Sequence, residues 1–160
     1  MQVRPIAADD AVEVDTVVRR WHGTNVDSYW YNDTHQNHTL VGSRGFFVAE
    51  VLPKCQVLVA LVDGELAGMT ALQAPWIMQM AVFAEYRRHG VGSALLAAAR
   101  ERSADELRLF TFQRNHAARA FYERHGFVVQ RLGISPPPES EPDVEYAWGG
   151  PPRLVQAPPT

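Results

Sequence analysis

The stretch Trp76 to Ala99, WIMQMAVFAEYRRHGVGSALLAAA, constrains this chain more than any other. An apolar run of β character meets a basic, glycine-bearing turn, and an alanine- and leucine-rich helix follows. Gly90 and Gly92 lack side chains, so the backbone there can approach a ligand closely, and the amides of the opening helix turn have no intrahelical partner. The helix dipole places partial positive charge at the same end, and Arg87 and Arg88 add full charges. Such a turn suits phosphate.

Two familiar phosphate turns do not fit. The sequence has neither a Gly-Lys-Ser/Thr ending nor Gly-x-Gly-x-x-Gly at this point. Arg87-x-x-Gly90-x-Gly92 instead resembles the acetyl-CoA signature Arg/Gln-x-x-Gly-x-Gly/Ala of the GCN5-related N-acetyltransferase superfamily (GNAT). It follows a strand ending in Val82 and precedes Leu95-Leu96. A second segment, Asn115-His116-Ala117-Ala118-Arg119-Ala120-Phe121-Tyr122-Glu123-Arg124-His125-Gly126-Phe127, is similar to that superfamily's next block. Two blocks in the right order are far more specific than either alone.

The resemblance is strong over about Val57 to Phe127, while the residues before it match only in layout. It implies an α/β fold: a mixed central sheet with splayed parallel strands, flanked by helices. It further implies an N-acetyltransferase that moves the acetyl group of acetyl-CoA to a primary amine by direct attack in a ternary complex. The main chain of Met80, Ala81 and Val82 would pair with the pantetheine as an added strand would. Arg87, Arg88, His89, Gly90, Val91, Gly92 and Ser93 would hold the pyrophosphate. Asn115, Ala118 and Tyr122 would face the cofactor, and Tyr122 would give the leaving CoA thiolate its proton. Without that context, Phe121-Tyr122 would read as an apolar helix face. An acyl-CoA sensor without turnover, and a scaffold that only borrows the fold, are the alternatives.

The remaining segments fit a single domain over residues 1–148 and a proline-rich tail over 149–160. Gln2 to Ile6 reads as a first strand, and Ala-Asp-Asp opens a helix running to about Trp21. His22 to Leu40, mixing aromatics with Asn, His and Thr, suggests an irregular loop or broken helix. Ser43 to Val51 reads as a second helix ending before Pro53. Val57 to Val62 and Leu66 to Leu72 form a hairpin through Asp63-Gly64. Strand Trp76 to Val82, helix Val91 to Arg102 and strand Leu107 to Phe112 make a crossover with parallel pairing. Asn115 caps the next helix, which stops at Gly126. Strands Phe127 to Leu132 and Val144 to Trp148 close the pattern, joined by ISPPPESEPD.

The composition supplies the exclusions. The net charge of −3 gives no footprint for nucleic acid or an anionic membrane. Cys55 stands alone, so the default setting is a reducing cytoplasm. Cys55 lacks a His-Asp framework and reads as a small half-buried thiol. His35-x-x-His38 with Asp33 lacks further ligands at a recognisable spacing, so no metal is expected. A homodimer is left open.

The chemistry requires a proton removed from the amine, a stabilised oxyanion and a proton for the thiolate. The base is not legible, since Trp76 to Val82 holds no carboxylate, only Gln79. A water relay, His22, Asp27, Glu50 or an amine of shifted pKa all remain. Trp21, Tyr29, Trp30 and Tyr31 are either pocket or packing residues. Glu139, Glu141 and Asp143 either steer a cationic amine, of a small molecule or a peptide, or keep a surface loop soluble.

Overall fold

The computed structural model describes residues 1–103 and 105–150. Its strands are β1 Gln2–Pro5, β2 Gln56–Val62, β3 Glu65–Gln73, β4 Trp76–Val82, β5 Glu106–Phe112, β6 Val128–Ile134 and β7 Pro142–Gly149. They lie side by side in the order β1-β2-β3-β4-β5-β7-β6, antiparallel except for β4 and β5. The helices are α1 Ala11–Ser28, α2 Asp33–Asn37, α3 Leu40–Phe46, α4 Leu52–Lys54, α5 Val91–Arg102 and α6 His116–Arg124. No helix among the described residues is long and apolar enough to cross a membrane.

Local chemistry sets most of these boundaries. The Asp10 carboxylate caps α1 by accepting from the amides of Val12 and Glu13 at 3.0 and 3.2 Å. Asp63 and Gly64 both take positive φ, 50° and 80°, the conformation a two-residue hairpin turn requires. Gly126, at φ 86°, ends α6.

Two segments differ from the sequence reading. The first helix continues past Trp21 to Ser28, so His22 to Ser28 is helical and not irregular. Gln36 reaches back to the carbonyls of Val26 and Tyr29 at 2.7 and 3.1 Å, which satisfies the far end of α1 from outside the helix. Burial of Trp21 between the sheet and Phe47 holds the added turns in place. The second helix begins at Leu40 and does not stop before Pro53. It passes through a π-turn, Phe47–Val51, into α4, where Pro53 sits in the first turn and needs no intrahelical hydrogen bond. The last strands also run slightly further, β6 to Ile134 and β7 from Pro142 to Gly149. The Gly150 amide donates to Asp105 O at 2.7 Å, and residues 151–160 of the proline-rich tail lie outside the described residues.

Helices α1 and α3 cover one face of the sheet. There Val14, Val17, Val18 and Trp21 pack with Phe47, Val59, Met69 and Phe83. Helices α5 and α6 cover the other, where Leu96 and Tyr122 meet Leu58, Leu107, Leu109 and Tyr146, and Val91 and Leu95 meet Ala60 and Ala67. Gly68 on β3 is where helix and sheet approach most closely. A Cβ there would lie 2.7 Å from the Ala81 carbonyl oxygen and 3.1 and 3.2 Å from Val91 and Leu95. Gly68→Ala is therefore expected to destabilise the fold by roughly 1–3 kcal/mol, read as a lower urea midpoint. An unchanged midpoint would mean that β4 and α5 yield at no cost.

Candidate functional site

The site follows from how β4 and β5 part. Their parallel pairing consists of one register pair, Trp76↔Arg108, supported by the Arg108 amide donating to Pro75 O at 2.8 Å. Trp76 stacks on Phe110 at 5.2 Å between centroids, and the Arg108 guanidinium lies 5.5 Å from the Trp76 ring. Beyond this clasp the strands diverge. On β4 the register slips between Ala71↔Gln79 and Leu72↔Ile77, a bulge that leaves Met78 without a partner on β3. Bulges increase local twist and re-aim side chains. Met78 and Gln79, though consecutive, both line the same cavity.

Divergence exposes one edge of β4. The Phe83 amide donates to Ala67 O at 2.9 Å, and Met69↔Ala81 is in the same register. The alternation of an antiparallel pair then turns the main-chain groups of Ala81 toward β3 and those of Met80 and Val82 toward the gap. Of the three residues expected to pair with a pantetheine, Met80 and Val82 offer hydrogen-bonding groups there.

The turn expected to hold the pyrophosphate follows a single turn of 3-10 helix, Ala84–Tyr86. Side chains cap α1, α2, α3 and α6, whereas α5 begins with no side-chain cap, leaving its first amides for an outside acceptor. Arg87, Arg88 and His89 are exposed around that end. Gly90 takes φ 79°, and a Cβ there would meet nothing within 4 Å, so the constraint is conformational and the space in front is open. Gly92 has a different reason. A Cβ there would lie 3.1 Å from the Phe121 ring, so the missing side chain lets α6 close on α5. Ser93 Oγ is 3.0 Å from His125 Nε2 across the same seam.

Helix α6 carries the second block. Asn115 Oδ1 accepts from the Ala118 amide at 3.2 Å, which leaves the Asn115 amide group to reach outward. Tyr122 is buried edge-on to Phe121 and Phe127, and burial, with Tyr29 adding to it, raises its phenol well above the ordinary tyrosine value.

On the α1 side of the gap lies a cavity of about 870 Å³. Its wall combines α1, the bulge on β4, the end of β5, β6 and the connection between β6 and β7. Trp21 and Tyr29 belong to it, whereas Trp30 is exposed and Tyr31 packs under Arg114 and Phe112. The Trp21 indole donates to Gln79 Oε1 at 3.3 Å. Of the three side chains considered as bases, His22 lines the cavity, while Asp27 is exposed and Glu50 pairs with Lys54. His22 Nδ1 lies 2.7 Å from Ser43 Oγ, and burial together with His38 lowers its pKa. Cys55 is half-buried, and burial raises its thiol pKa, which disfavours the nucleophilic thiolate. His35 is taken up by Glu139, with Nε2 to Oε2 at 2.5 Å. Asn32 and Thr34 donate to the carbonyls of Glu139 and Pro138, both at 3.2 Å, which fastens the two loops over the cavity. The sequence reading missed Met78, Phe110, Phe112 and Arg131 in the lining. The alternation of β5 could have flagged Phe110 and Phe112, which lie opposite the face of Leu107 and Leu109.

Residues 53–129 match the family described as an acetyltransferase (GNAT) domain. N-alpha-acetyltransferase 60 of Danio rerio is 26% identical over 145 residues, covering 79% of this chain and 59% of that protein. The chain thus spans about three fifths of that relative's length. Among solved structures, the apo form of YjaB from Escherichia coli has a TM-score of 0.69 at 21% identity, covering 94% of this chain and 98% of that one. The PaiA N-acetyltransferase of Thermoplasma acidophilum in complex with coenzyme A has a TM-score of 0.59 at 18% identity, covering 90% and 96%. At these identities the structural likeness speaks for the fold.

The cavity electrostatics are open to a direct check. His22 is expected to titrate below 6.5, and His38→Gln should move it upward by removing a like charge that disfavours the imidazolium. Two-dimensional NMR titration of the histidine rings reads both. A His22 pKa at or above 6.5 in the unmodified protein would contradict the environment described.

Proposed function

From the match of residues 53–129 to the acetyltransferase (GNAT) family we infer that the chain is a member of the GCN5-related N-acetyltransferase superfamily and transfers the acetyl group of acetyl-CoA to a primary amine of a small molecule or peptide. The observation that carries this reading is the gap between β4 and β5, opening from the single pair Trp76↔Arg108. One side of it offers an unpaired strand edge and an uncapped helix start, and the other opens on a cavity. Two reactants can therefore meet through the sheet, as direct transfer in a ternary complex requires.

Acetyl-CoA supplies the acyl group as a thioester. Met80 and Val82 would hold its amide-bearing arm through main-chain hydrogen bonds. Arg87 to Ser93 would bind its pyrophosphate, with the amides of Val91, Gly92 and Ser93 innermost. Asn115 and Ala118 would border its path on α6. His22, kept neutral by burial, would take the proton from the amine, directly or through water. Tyr122 would offer its O–H to the departing sulfur. Its pKa lies well above the ordinary thiol value, so a hydrogen bond to the thiolate carries more of the stabilisation than completed proton transfer does. The lone Cys55 supports a reducing, cytoplasmic setting.

Calorimetry with acetyl-CoA, together with thiol release across a panel of amines and peptides, tests the reading. Binding without release would leave a sensor, and no binding would remove the reading altogether. Tyr122→Phe should retain acetyl-CoA affinity and slow turnover on the order of 10²-fold. Gly90→Val should weaken acetyl-CoA binding, because a β-branched residue resists the left-handed φ there and disturbs the aligned amides. Full turnover in Tyr122→Phe would remove its assignment, and normal affinity in Gly90→Val would remove that of the turn.

A further inference from the structure

Three carboxylates lie on or beside the connection between β6 and β7, and the fold treats each differently. Glu139 is hydrogen-bonded to His35, while Glu141 stands outside the cavity wall, its Oε2 in an ion pair 3.3 Å from Arg114 Nε but without a hydrogen bond among the described residues. Asp143 is left over. It is 8% exposed, yet it belongs to the cavity wall. Apart from its own backbone amide, its carboxylate forms no hydrogen bond or ion pair among the described residues. Arg131, also in the wall, acts on Asp143 through its charge without forming an ion pair or hydrogen bond with it, and its Nη2 lies 3.9 Å from Glu145 Oε1.

The sheet register places this carboxylate. Asp143 is the cross-strand partner of Phe112 on β5 and of Gly133 on β6. Directly opposed residues share a face, so the carboxylate lies on the same side as Phe112, toward the cavity. A Cβ on Gly133 would come 3.1 Å from Asp143 Oδ1, so the glycine clears the floor on which the carboxylate rests. Strand spacing sets Asp143 back from the gap by one to two strands, roughly 5–10 Å. A nitrogen attacking within the gap is thus not the nitrogen that rests on Asp143.

We propose that Asp143, above the space left by Gly133, binds a second cationic group of the acceptor, so the preferred acceptors are compact amines bearing another ammonium set apart from the nitrogen to be acetylated. This rests on the acetyltransferase reading. Arg131 acts on Asp143 only at a distance, and a buried carboxylate without a hydrogen-bonded counter-ion is costly, so an ammonium in contact with it would supply that partner. Tyr29 and Phe112 in the same wall add ring faces suited to a cation.

The test compares 1,4-diaminobutane with butylamine and 4-aminobutanoate, which share a length and differ in the charge at the far end. The unmodified protein should show kcat/KM at least tenfold higher for the diamine than for butylamine, and lowest for the amino acid. Asp143→Asn should bring the diamine down to the butylamine level of the unmodified protein, and Gly133→Ala should shift it the same way. Calorimetric titration of 1,4-diaminobutane into the protein with coenzyme A present reads the contact without turnover. Binding lost in Asp143→Asn supports the assignment even if no amine is acetylated, an outcome that would defeat only the transfer reading. Equal kcat/KM for diamine and butylamine, or a preference that survives both substitutions, overturns the assignment while leaving acetyl transfer intact. Diamine binding unaffected by Asp143→Asn overturns it as well.

Discussion

The rest of the site depends on a parallel strand pair that is closed at one end and open at the other. Trp76, Phe110 and Arg108 form the clasp, with a parallel stack, a cation over the indole and a main-chain hydrogen bond to Pro75. Arg108 is itself held by Glu145 at 2.7 Å, so the clasp is tied to β7 as well. Beyond it, the bulge at Met78 adds twist just where β5 would otherwise continue the ladder. Main-chain groups stranded by such a divergence need partners. On β4 the unpaired edge faces the gap, where an extended ligand would supply the partners that β5 does not.

The two sides of the gap are built by different means. The side proposed to hold acetyl-CoA is local: a strand end, a turn and a helix start, consecutive in the chain, with Gly92 admitting Phe121 so that α5 and α6 close together. The side that opens on the cavity is assembled from distant segments. Asn32, Thr34 and His35 hold the carbonyls of Pro138 and Glu139 and the Glu139 side chain, and without those contacts the cavity would lack its roof. Charge is distributed by the same contacts. Glu139 in the wall is hydrogen-bonded to His35 and Glu141 lies outside it beside Arg114, whereas Asp143 faces the cavity with no ion-pair partner among the described residues.

The strand-turn-helix unit, the Asp63-Gly64 hairpin, the Asn115 cap and the alternation of β5 were all legible in the sequence. Each depends on residues within one or two turns of one another, where period, capping and positive φ leave a direct mark on residue choice. Both helical departures came from longer reach. The end of α1 is satisfied by Gln36, and the chain crosses Pro53 because a π-turn places the proline where no amide is required.

The sequence by itself therefore determined the strand-turn-helix unit, most of the order of elements and the resemblance to the acetyltransferase superfamily, because these are written in short stretches with fixed spacing. Tertiary structure alone decided which acids and histidines line the cavity and why Gly92 is glycine. Those outcomes depend on pairings between residues far apart in the chain, such as His35 with Glu139 and Gly133 beside Asp143, and no local pattern records a partner that only the folded sheet brings near.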